Sequence, residues 1–200
     1  MKAQLKYYLL AQLGMAIIYH GTMWISPFRP STLPLTVFDN LIPYSDWFGA
    51  VYLSFFFLLF YTVFYSAVQH SFACATAVIL TAIAAGIAFI CFPTVYLEKP
   101  AMQKPTFLLT TIKNYDSNFN CFPSVHVAVS VVCCYYACLQ KRIFVKIAFT
   151  TWFLLLFASV VVTQQHYFYD AAGGLLLGVL ALVNNRRWFN YFSKNLMQQL

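Results

Sequence analysis

The chain has 200 residues, of which 62% are hydrophobic and only 8% charged, with a mean hydropathy of +0.70 and a formal net charge of +7. A soluble globular domain carries about 25% charged residues, so this composition excludes one and places the chain in lipid. The positive excess does not mark a nucleic-acid binder, because the cations sort by membrane side.

A transmembrane helix needs roughly 20 mostly apolar residues. Six segments meet that requirement: 5–25, 48–68, 73–92, 124–140, 143–163 and 166–184. The first follows Lys2 and Lys6 but has no small-x-small cleavage site and contains Tyr, Gln and His, so it reads as an anchored helix rather than a signal peptide. The segments at 48–68 and 73–92 are continuous apolar runs without period-two alternation, which specifies helices rather than a barrel. A long polar loop over 93–123 precedes the fourth segment, which opens on Phe122-Pro123-Ser124-Val125-His126. The fifth is joined through 163–165 to the sixth, which opens on His166-Tyr167-Phe168-Tyr169-Asp170. With no Gly/Ser/Pro-rich linker, repeat or low-complexity tract, residues 1–200 read as one all-α, polytopic membrane domain built as a six-helix bundle.

Charge assigns the sides. With six spans, both termini and the second and fourth loops share a face holding Lys2, Lys6, Lys141, Arg142, Lys146, Arg186, Arg187 and Lys194, and no acid. The other face holds Arg29, Lys99, Lys104 and Lys113 with all five acids: Asp39, Asp46, Glu98, Asp116 and Asp170. The positive-inside rule makes the termini cytoplasmic. The loops at 26–47, 93–123 and 163–165 then face the periplasm, cell exterior or lumen.

On that outward side lie the residues most costly to keep in lipid, and ionisable groups there are functional by default. Pro123-Ser124 marks a helix start, with Ser capping free N–H groups. A helix N-terminus binds anions through those groups and its dipole. His126 then sits in the first turn, suited to donate a proton to a leaving oxygen. His166 and Asp170 are four residues apart, a spacing that places them on one helix face. A carboxylate beside an imidazole fixes its tautomer, the orienting logic of a nucleophile or base. The fourth and sixth helices both begin on the outward side, so Ser124, His126, His166 and Asp170 share one membrane depth. His20 and His70 read as structural hydrogen-bonding groups, and Gly174-x-x-x-Gly178 as close helix packing.

Cys133, Cys134 and Cys138 read as small apolar packing residues, without the converging ligands that zinc needs. Neither a metal nor another cofactor is implied. Cys91 and Cys121 lie near the outward face, where a disulfide is chemically possible but nothing fixes their separation.

The Pro-Ser-x-His and His-x-x-x-Asp pair resembles the type 2 phosphatidic acid phosphatase superfamily, six-helix membrane enzymes related in core to vanadium haloperoxidases. The chain is most similar to its inositol phosphorylceramide synthase-like (aureobasidin-resistance-like) branch. That likeness also takes in Asp39-Asn40-Leu41-Ile42-Pro43, Tyr52-Leu53-Ser54, Phe92-Pro93-Thr94 and Thr163-Gln164-Gln165 before His166, and spans residues 38–180. It implies that His166 is the nucleophile, forming a phosphohistidine, and that Asp170 orients it. It implies that His126 protonates the leaving alcohol and then activates the acceptor, and that Ser124 holds phosphate oxygens. Membrane lipids are the implied substrates.

Departures bear on the substrate. Phosphatase members carry Ser-Arg shortly before the nucleophilic His, where this chain reads Ser159-Val160. Pro-Ser-Val-His replaces the commoner Pro-Ser-Gly-His, and only Lys99-Pro100 matches an early Lys/Arg-Pro pattern. Arg29, Lys99 and Lys104 remain as outward cations able to contact phosphate. Arginine offers a bidentate clamp that lysine does not, so a site without it fits a singly charged diester better than a dianionic monoester. Head-group transfer between lipids is the leading expectation. The alternatives are a lipid or isoprenoid monoester phosphatase and a catalytically silent membrane scaffold. A transporter is disfavoured because no broken helix pair or inverted repeat shows in the hydropathy.

Overall fold

A computed structural model describes residues 1–23, 25, 28–95, 110, 119–139 and 142–197, with side chains described as far as Asn185 in the last helix. Its helices are α1 (Lys2–Thr22), α2 (Val37–Leu41), α3 (Gly49–Leu53), α4 (Phe55–Tyr65), α5 (Val68–Cys91), α6 (Val125–Cys138), α7 (Ile143–Val162) and α8 (Phe168–Met197). A 3-10 turn at Asp46–Phe48 leads into α3, and no strand longer than an isolated bridge occurs among the described residues.

Helices form in all six apolar segments. Four are long and apolar enough to cross a membrane: Asp46–Tyr65 (the 3-10 turn, α3 and α4 together), Val68–Cys91, Ile143–Val162 and Phe168–Asn185. That is the build of an integral membrane protein. The other two differ for evident reasons. Helix α1 has 21 residues but carries Lys2, Gln4, Lys6, Gln12 and His20. Helix α6 has 14 residues, so at 1.5 Å per residue it covers about 21 Å of a hydrocarbon core roughly 30 Å thick.

The short helix is the central one. Helix α6 packs against α4, α5, α7 and α8, while α1 lies along α5. Its buried positions include Val125, Ala128, Val129, Ser130, Val132, Cys133 and Ala137, residues small enough to admit neighbours on every side. At Gly174 and Gly178 the backbone of α8 closes on α6: an added Cβ would stand 2.3 Å from the Ser124 carbonyl oxygen and 2.6 Å from that of Ala128. The glycine pair is thus close helix packing, as the sequence suggests.

Several polar groups inside the bundle find backbone partners, as a lipid setting favours. Thr62 Oγ1 donates to the Leu58 carbonyl at 2.8 Å, Ser71 Oγ to Val63 at 2.6 Å and Ser130 Oγ to His126 at 2.6 Å. Gln4 of α1 donates to the carbonyls of Phe64 and Ser66, both at 3.0 Å, closing the end of α4. Asn185 ties α8 to α5 and α6 through the Ala73 carbonyl and the Tyr136 hydroxyl, both at 2.9 Å. All six cysteines are free, Cys91 exposed and Cys121 buried, so the possible disulfide between those two is not formed.

Candidate active site

The site is assembled where α6 and α8 begin. Ser124 is the N-cap of α6, and its Oγ accepts from the Val127 N–H at 3.5 Å, a long capping bond. The Ser124 N–H in turn donates to the Asp170 carbonyl at 3.0 Å. That bond and the Gly174 contact bring the two helix starts together. The approach to α6 is held from two other directions. Asn120, with φ 62°, donates from Nδ2 to the Tyr19 carbonyl at 3.0 Å and to Thr22 Oγ1 at 3.1 Å, anchoring it to the end of α1. The Phe122 N–H donates to Thr94 Oγ1 at 2.8 Å. The Phe122-Pro123 peptide is cis.

His126, in the first turn of α6, is half-buried. Its ring lies 4.5 Å from that of Tyr52, 4.9 Å from Phe55 and 6.1 Å from His166, measured between centroids. The Tyr52 hydroxyl is 3.2 Å from His126 Nδ1. The two motif histidines, 40 residues apart in the chain, therefore face one small volume.

His166 is not on a helix face with Asp170, contrary to the four-residue reading; α8 starts at Phe168, after it. The cause is the turn closing α7. Gln164 adopts a left-handed φ of 52°, a conformation costly for a residue other than glycine. The N–H groups of Gln165 and His166 both donate to the Val160 carbonyl, at 3.1 and 3.0 Å. This tight turn presents the imidazole just before α8 rather than on its side.

Asp170 occupies the third position of α8 and reaches back to the Tyr167 N–H, at 2.8 Å to Oδ2, as the acidic partner of a capping box does. The same Oδ2 is 3.7 Å from His166 Nδ1, within ion-pair range but beyond a hydrogen bond. His166 Nδ1 and Asp170 Oδ1 are both buried with no hydrogen-bond partner among the described residues.

Asp39, to which the sequence reading gives no role in the site, closes the other side of the α8 start. Its Oδ1 accepts from the Phe168 N–H at 2.8 Å, while Oδ2 accepts from the Thr36 N–H at 2.7 Å and the Thr36 hydroxyl at 2.6 Å. The local half of this, Thr36-x-x-Asp39, is a readable capping box on α2. The link to Phe168, 129 residues away, is not. Two carboxylates thus meet the N-terminus of α8, where its dipole favours negative charge.

Val160, where the resemblance leads one to expect an arginine, is 1% exposed. It belongs to an apolar cluster with Tyr52, Val127, Val161 and Ala171, and its carbonyl accepts from the His166 N–H at 3.0 Å. Arg29 is exposed, on the segment whose Ser31 pairs with Pro93 and Val95. Lys99 and Lys104 lie outside the described residues. Among the described residues, no group of three His, Cys, Asp or Glu side chains is placed to hold a metal ion.

No curated protein and no solved structure matches the chain. A family model described as the PAP2 superfamily matches residues 31–184, which takes in Asp39, Tyr52, both histidines and Asp170. Over more than half its length, and with that helical bundle and that pair of motifs, the chain belongs to the PAP2 superfamily.

Proposed function

We propose that this protein is a lipid phosphotransferase that passes a phospho-head group between lipids through a phosphohistidine on His166, as in inositol phosphorylceramide synthase-like enzymes. The observation that carries the reading is the convergence of His126, His166, Ser124 and Asp170 at the joined starts of α6 and α8. Superfamily membership supports phosphatase or phosphotransferase chemistry on a lipid phosphoester; the finer assignment rests on the residues.

In this mechanism the His166 imidazole attacks phosphorus, forming the P–N bond as the P–O bond to the leaving lipid breaks. His126 gives its proton to the departing oxygen. Asp170 accepts a hydrogen bond from the Nδ1–H of His166 and supports the positive charge that develops on the ring. The N-terminus of α6, capped by Ser124, stabilises the phosphoryl oxygens. An acceptor hydroxyl then loses its proton to His126 and attacks phosphorus, breaking the P–N bond and restoring both histidines. No step needs a metal.

A diester substrate is favoured by the packing around Val160. Val160 is buried in an apolar cluster, so its position offers a dianionic monoester no bidentate partner. The proposal takes six spans, with both termini in the cytoplasm and the site on the periplasmic, extracellular or lumenal side; the sorting of lysine and arginine supports this sidedness.

The test is to trap the intermediate. Protein mixed with a phosphate-labelled lipid diester and quenched in base should carry acid-labile label, which His166→Ala abolishes and vanadate suppresses. Label that survives in His166→Ala refutes the assignment.

A further inference from the structure

We infer that Tyr52 is the positioning residue of His126, the counterpart of what Asp170 is to His166, and that its hydroxyl lets His126 act first as acid and then as base. The inference rests on the lipid phosphotransfer reading and names a residue that reading does not use.

Tyr52 is 2% exposed and sits on α3, a five-residue helix just before the break at Ser54. Its ring lies 4.5 Å from the His126 ring at an interplanar angle of 38°, and its hydroxyl is 3.2 Å from Nδ1. Phe55 closes on the imidazole at 4.9 Å and 64°. The imidazole plane is therefore set by two aromatic rings, and one ring nitrogen by the phenol. Val127, Val160 and Ala171 enclose the same tyrosine, and the Ser54 hydroxyl behind it accepts from Trp152 Nε1 at 2.8 Å.

The phenol oxygen accepts from Nδ1–H whether His126 is charged or neutral. With that proton held on Nδ1, Nε2 stays directed at the substrate: it carries the proton given to the leaving lipid and, once neutral, the lone pair that takes the acceptor's proton. An uncharged partner also lacks the full opposite charge of the carboxylate beside His166, so it raises the basicity of the ring less and lets His126 give up its proton more readily. Among the described residues, the titratable groups that face His126 include Tyr52 from α3 and His166 from the turn before α8, and α4 packs the Phe55 ring against it.

The experiment is Tyr52→Phe in the full chain, which keeps the ring and removes the hydroxyl. Histidine 15N resonances are followed against pH in detergent micelles, with His126→Asn for assignment, alongside kcat and KM on a lipid diester. Losing a hydrogen bond that is stronger to the charged ring should move the His126 titration to lower pH. It should lower kcat about 10- to 100-fold with KM held, the scale of a hydrogen bond to a charged group, and shift the alkaline limb of the pH–rate profile the same way. An unchanged His126 titration in Tyr52→Phe overturns the pairing, whatever the activity. A moved titration with unchanged kcat and pH profile overturns the catalytic consequence. Failure of the functional reading shows separately, as wild-type turnover no greater than that of His166→Ala.

Discussion

Replacing Gly174 with alanine tests whether the joined starts of α6 and α8 are what make the site. The added methyl would stand 2.3 Å from the Ser124 carbonyl oxygen, 3.1 Å from Val127 Cβ and 3.2 Å from the Ser124 carbonyl carbon. Ordinary contact begins at 3.4 Å, so α8 must retreat from α6 by about 1 Å, and misplacement on that scale costs roughly 100-fold in rate. The obstacle is backbone, not a side chain that can swing aside. The retreat strains the Ser124 N–H bond to the Asp170 carbonyl and carries Asp170 away from the α6 start. Overpacking itself costs about 1–3 kcal/mol. The assay is turnover of a lipid diester in mixed micelles beside thermal unfolding in the same detergent. Gly21→Ala serves as the control, since nothing lies within 4 Å of its added Cβ. A Gly174→Ala protein with wild-type turnover and wild-type unfolding would refute the claim that this contact sets the site.

Other substitutions give graded outcomes. Asp170→Asn should leave unfolding nearly unchanged and lower kcat by about 10³- to 10⁴-fold through the wrong His166 tautomer; less than a tenfold loss in a kinetic assay would contradict its orienting role. Asp39→Ala should destabilise by about 1–3 kcal/mol, because the buried N–H groups of Phe168 and Thr36 lose their acceptor; Asp39→Asn, which keeps an acceptor oxygen, should cost less in the same denaturation experiment. Cys138→Ala, a change in a partly exposed thiol far along α6 from His126, should leave activity within experimental error. Burial and the hydrogen bond to the Asp46 carboxylate push the Tyr44 phenol above its ordinary range. Its contribution to stability is whole below about pH 10 and is lost only as pH rises beyond that, so the late-ionising part of an absorbance titration should shrink by one tyrosine in Tyr44→Phe.

Much of this site could be read from the chain because its parts are local. A proline and serine before an apolar run specify the start of α6. Apolar length locates the six helical segments. Since helices alternate direction, the starts of the fourth and sixth must share a side, and the Ser124–Asp170 bond shows that they do. The features that escaped are set by tertiary contact. Nothing local shows that Asp39 caps a helix 129 residues later, or that Tyr52 lies on His126. The break at Ser54 splits what reads as one apolar run into α3 and α4. The left-handed Gln164 is equally hidden, because glutamine gives no signal for that conformation; it moves His166 off the helix that the four-residue spacing suggests. Helix α6 is shorter than the apolar run from 124 to 140 suggests and falls short of spanning length, with α4, α5, α7 and α8 packed around it.

The most direct test of lipid-to-lipid transfer is a head-group assay on purified protein in mixed micelles, read by mass spectrometry beside a His166→Ala control. Donors are phosphatidate and several phosphodiester lipids including phosphatidylinositol, each with and without ceramide or diacylglycerol as acceptor. The predicted result is a new phospho-head-group lipid that forms only from a diester donor with an acceptor present and disappears in His166→Ala. Inorganic phosphate released from phosphatidate, with diesters untouched, would contradict the account and make the protein a monoester phosphatase.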